Sequence, residues 1–147
     1  MAAILVTSGI FNGGLVLVAA AVVPTFRSLP AGAYVQVHQL LDRYIQRYMP
    51  ALAGLTMLAA LVPMWRQPGV RTALAAGVLL TASVSVISHF GNRPLNKRVQ
   101  SWRPEAPPPE VVGLQGRWSR LHLLRTIAGV LALAVFAAVA TLPAGGR

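Results

Sequence analysis

Three histidines, His38, His89 and His122, sit in this chain among residues spaced to share helix faces with them. Tyr34, His38 and Asp42 recur every fourth residue. His89, Asn92 and Asn96 follow at spacings of three and four, and so, in reverse order, do Trp118, His122 and Arg125. An imidazole takes up and releases protons near neutral pH, so these patterns admit a general base acting on a phenolic or doubly activated carbon. His122 is then the residue placed for proton transfer, with His38 and His89 beside it, and Arg125 and Asn92 are donors for a developing oxyanion. Trp118, Asn96, Tyr34 and Asp42 complete the set as substrate-binding residues. The same three histidines with Asp42 also suit a copper, iron or zinc site. A third reading has them hydrogen-bonding across helices to Asn, Ser and Asp.

Whatever positions these groups is a membrane bundle. The chain has 147 residues, 55% hydrophobic and 11% charged, with a mean hydropathy of +0.60, far more apolar surface than a soluble core of this length requires. Cysteine is absent, which removes disulfides and thiolate metal sites. A net charge of +10 would suit nucleic acid, but here the basic residues lie between apolar runs of membrane length, so nucleic acid is not expected as a partner.

The apolar runs predict an all-α, up-down bundle of four transmembrane helices forming a single domain over 1–147, with helices at 2–26, 33–65, 70–90 and 117–142. The second is long and polar in its first half, with Pro50 expected to kink it. Pro94 argues for a break after the third helix, and the Pro-rich stretch 99–116 reads as a loop over the membrane surface. Gly9 and Gly13 form a GxxxG that suits close packing inside the bundle, or a contact between two copies. The hydroxyls of Ser85 and Ser88 can bond to their own helix and need no function.

Ten of the thirteen Lys and Arg (Arg27, Arg43, Arg47, Arg93, Lys97, Arg98, Arg103, Arg117, Arg120 and Arg125) fall at one end of the bundle, against Arg66, Arg71 and Arg147 at the other. The bias places the polar end in the cytoplasm and both termini outside a cytoplasmic membrane.

The four-helix plan, the N-R-P-L-N segment from Asn92 to Asn96 and the W-x-x-x-H-x-x-R that carries Trp118, His122 and Arg125 together resemble the anthrone-oxygenase-like family of small membrane proteins. The resemblance covers nearly the whole chain. It implies oxidation of an activated aromatic or polyketide-type substrate by dioxygen without an organic cofactor; copper or iron is the alternative that the three histidines and Asp42, not the resemblance, leave open. Two other classes stand beside this one. A transporter needs a polar path through both leaflets, which the apolar second half of every helix disfavours. A non-catalytic accessory subunit fits the same composition.

Overall fold

The computed structural model describes residues 1–142, so Arg147 of the basic count lies outside the described residues. Four helices long and apolar enough to cross a bilayer follow in chain order: α1, Ala2–Ser28; α2, Ala31–Arg66; α3, Pro68–Gln100; and α4, Val111–Thr141. Each packs against its chain neighbour, and α4 closes the ring on α1, which makes an up-down bundle. Among the described residues the only β feature is an isolated bridge between Arg103 and Ala106. Hydrocarbon offers no partner for a backbone N–H or C=O, and helices satisfy both within themselves. Large apolar side chains such as Leu17, Leu58 and Leu79 therefore face outward, the composition of an integral membrane protein.

Inside the ring the side chains form separate clusters. Phe26, Tyr34, Val99 and Trp118 fill the polar end, and Ile4, Leu74, Ala132 and Phe136 fill the other. Lipid tails are as apolar as leucine, so the helices hold together by close packing rather than by expelling water. Gly77 lies against the ring of Phe136 and Gly129 against Asn12 and Leu15, and a Cβ at either would overlap its neighbour. Gly9 and Gly13 do not supply the expected close approach within the bundle, since nothing lies within 4 Å of where their Cβ atoms would be.

Two helix boundaries differ from those expected. α3 does not stop near Phe90 but runs through Pro94 to Gln100, and α4 starts at Val111 rather than Arg117, which shortens the loop to 101–110. α4 can start early because the prolines of the loop, Pro104 and Pro107 to Pro109, all precede Val111; for α3 the reason lies in the turn before the proline. A proline ring collides with the carbonyl four residues back and brings no N–H for it. Here a π-turn, Ile87–Asn92, precedes Pro94, and the Arg93 N–H bonds to the Ser88 carbonyl five residues back. The wider turn absorbs the misfit and lets the helix continue. α1 does the same before Pro24, with the π-turn Val18–Val22 and a bond from the Val23 N–H to the Val18 carbonyl.

Side chains close the polar end. Gln39 of α2 donates to the carbonyls of Val99 (2.8 Å), in the last turn of α3, and Trp102 (2.9 Å), just beyond it. Gln115 of α4 does this for the Phe26 carbonyl of α1, at 2.6 Å.

Candidate functional site

All four helices line one cavity of about 480 Å³ at the polar half of the bundle. Its wall is mostly apolar, and its polar groups converge from three helices: His38 and Asp42 from α2, Ser88, Asn92 and Asn96 from α3, and His122 and Arg125 from α4. A roomy apolar pocket with a few converging polar groups is the form that small-molecule sites take.

Asn96 is the junction between α2, α3 and α4. Its Oδ1 accepts from Trp118 Nε1 at 2.8 Å and lies 3.2 Å from His38 Nε2, while its Nδ2 donates to Asp42 Oδ1. The indole nitrogen can only donate and the carboxylate can only accept, so the amide has one orientation. That orientation obliges His38 to carry its hydrogen on Nε2. Its Nδ1 is then a bare lone pair, and it is buried without a hydrogen-bond partner. Three aromatic rings hold the imidazole: Phe26 stacks on it at 5.3 Å, with Tyr34 at 5.3 Å and Trp118 at 5.2 Å edge-on. Gln46, which donates to Asp42 at 2.7 Å, fixes the carboxylate from one turn away.

His122 is committed at both nitrogens. Nε2 faces the Leu15 carbonyl at 3.0 Å, an acceptor, so the hydrogen sits there. Nδ1 then accepts from Arg125, whose Nε and Nη2 lie at 2.9 and 2.7 Å. Arg125 Nη1 reaches Ser88 Oγ at 3.1 Å. The only ion pair among the described residues is the exposed one between Arg98 and Glu110, so Arg125 brings to the cavity wall a cation with no carboxylate in direct contact, Asp42 of the same lining acting on it from farther away. A cation held in hydrocarbon without a carboxylate is costly, which marks the place where a negative charge would be stabilised. The indole of Trp118 lies parallel to the His122 ring, 9° apart at 5.4 Å, and links the two buried histidines.

The remaining expected residues take other places. His89 lines the same cavity but is exposed, with Nδ1 3.3 Å from Arg93 Nη1. The π-turn explains this, because one extra residue in a turn rotates the face by about 100° and swings His89 away from Asn92 and Asn96. Asn92 is buried and donates to the Trp118 carbonyl at 3.2 Å, while its Oδ1 has no partner, so it offers an acceptor. Tyr34, expected among the substrate-binding residues, is outside the cavity lining and packs behind His38 against Phe26. The metal alternative does not fit. Among the described residues no three His, Cys, Asp or Glu side chains lie close enough to hold an ion, and both His122 nitrogens already have partners.

Gln46 and Phe26 were not singled out from the sequence, and Ser88 was expected to bond only to its own helix, whereas it also accepts from Arg125. Gln46 stands four residues after Asp42 on a helix, a spacing that signals the contact. Ser88 and Phe26 give no such signal, because their roles depend on how α1 and α3 pack against the others.

The sequence model of a family described as anthrone oxygenase matches residues 38–135. That span contains His38, the π-turn of α3 and the whole α4 part of the site. No curated protein and no solved structure matches the chain.

Proposed function

The chain belongs to the anthrone oxygenase family, and from that premise we propose that it oxidises an activated aromatic or polyketide-type molecule with dioxygen inside the 480 Å³ cavity. An anthrone has an acidic ring methylene opposite a carbonyl. In this reading His38 Nδ1 takes a proton from the methylene, and the charge moves to the carbonyl oxygen, where Arg125 stabilises it. The electron-rich enolate passes one electron to dioxygen, and recombination forms a carbon–oxygen bond at the former methylene. The resulting hydroperoxide loses water to leave a second carbonyl. One substrate and one dioxygen thus give one quinone and one water.

The observation that carries this reading is that His38, whose imidazole keeps a bare and buried lone pair, and Arg125, a cation with no carboxylate in direct contact, line the same cavity. His122, although expected from the sequence to transfer the proton, supports Arg125 instead, since its own lone pair already accepts from that residue. Asn96 and Trp118 set the tautomer of His38. The polar end faces the cytoplasm in this proposal, as the basic bias requires.

The test is to place the purified protein in vesicles with anthrone and follow quinone formation and oxygen uptake. Equimolar consumption of oxygen, lowered roughly 100- to 10,000-fold by His38→Gln, is the expected result. Gln keeps a donor for Asn96 but cannot take the proton. Equal turnover in the parent and in His38→Gln would rule out this assignment.

A further inference from the structure

The cavity is open sideways. Its lining includes Tyr48, Val86 and Phe90, which are 48%, 54% and 75% exposed on the outside of the bundle. Three such residues side by side mark the rim of an opening. The packing of α3 locates that opening. Its segments Arg71–Val86 and Arg93–Gln100 pack against α2, whereas the π-turn Ile87–Asn92 between them packs against α4 and makes at most marginal contact with α2. A window is left between α2 and α3 at the level of the π-turn, with Met49 and Pro50 on the α2 side. Tyr48, Met49, Pro50, Val86 and Phe90 give this rim a mostly apolar edge on membrane-spanning helices, and the exposed polar lining residues Gln46 and Arg93 belong to an adjoining polar pocket, with His89 between the two.

A second, polar pocket of about 280 Å³ adjoins the cavity through Asp42, Gln46 and Arg93, and is completed by Arg43, Lys97 and Gln100. Passage there would take an apolar ring system through a charged vestibule. The window asks for no such step, since a fused-ring molecule is already dissolved in the hydrocarbon beside it.

We propose that the substrate is a membrane-dissolved, neutral, flat fused-ring molecule that reaches the cavity laterally through this window and not from the water. The proposal rests on the oxygenase reading for the kind of ring system but not for the route. The charged vestibule is left to water and to small polar species.

The chain has no cysteine, so a single thiol reports access cleanly. Ala53, which is buried and lines the cavity, is replaced by Cys, with Met49→Cys at the window as a second site where Ala53→Cys does not assemble. Vesicles containing the variant are exposed to N-phenylmaleimide, which partitions into the bilayer, or to a sulfonated maleimide confined to water. Gln100→Cys in the polar vestibule serves as the control for the charged reagent. The expected result is labelling by N-phenylmaleimide alone, slowed severalfold by anthrone and by Val86→Trp at the rim. Leu79→Trp, exposed on the same helix and outside the cavity, leaves the rate unchanged. Faster labelling by the charged reagent, labelling by neither, or equal rates in the two Trp variants would each overturn the lateral route. Turnover plays no part in this measurement, so its failure and a failed quinone assay are separate results.

Discussion

The guanidinium of Arg125 rests on Nδ1 of His122, with Nε at 2.9 Å and Nη2 at 2.7 Å, and so turns to a neutral ring where a buried arginine would ordinarily find a carboxylate. His122 in turn is held by the Leu15 carbonyl of α1. The cation is thereby aimed without a direct ion pair. A carboxylate in the place of His122 would fix Arg125 equally well and cancel the charge that an enolate needs.

Arg125→Gln is accordingly expected to lower turnover by roughly 100- to 1,000-fold, the usual cost of losing an oxyanion donor. Thermal stability should change little, because a costly buried cation goes with its hydrogen bonds. Steady-state oxidation of anthrone and a melting curve of the same preparation check both halves. A large fall in stability with normal turnover would make Arg125 a structural residue.

Asn96→Leu should destabilise the bundle by about 2 kcal/mol, since it leaves Trp118 Nε1 and His38 Nε2 buried without an acceptor and membrane hydrogen bonds are modest individually. His38 would also lose what fixes its tautomer. Denaturant or thermal unfolding in detergent measures the first effect, and turnover per folded molecule measures the second.

Gly77→Ala puts a methyl group into the ring of Phe136. Overpacking of this kind costs about 1–3 kcal/mol, and Phe136→Leu in the same chain should recover part of it by making room. The site lies at the other half of the bundle, so turnover per folded molecule should be retained.

A reporter enzyme that is active only outside the cytoplasm, fused after Arg147, is expected to be active if the basic bias sets orientation. Activity of a cytoplasm-only reporter at that position would invert the proposed topology.

The four spans were legible in the sequence, because hydropathy and length suffice where lipid is the solvent. The faces were legible where the helix is regular, as for Trp118, His122 and Arg125, whose spacing alone places them together. The sequence signal failed at Pro94. Its ring chemistry argues for a break, and nothing local shows that a π-turn will absorb it, so the end of α3 and the position of His89 were displaced; the start of α4 was displaced because the proline-free 111–116 joined the helix rather than the loop. The division of labour between His38 and His122 was illegible for another reason. It depends on a carbonyl of α1 and an amide of α3, partners far away in the chain.

The π-turn Ile87–Asn92 also makes residue count part of the site. It holds one residue more than an α-turn would, so the segment from Arg93 onward keeps the place it would have in a regular helix one residue shorter. Losing a single residue between Ser88 and Asn92 would let α3 close into a regular helix without turning Asn96 away from His38 and Trp118. Gaining a residue elsewhere in α3 before Asn96, or closing the turn at its present length, would instead rotate everything beyond by about 100°. A chimera or a designed homologue therefore has to keep the π-turn and the residue count together, or give up both.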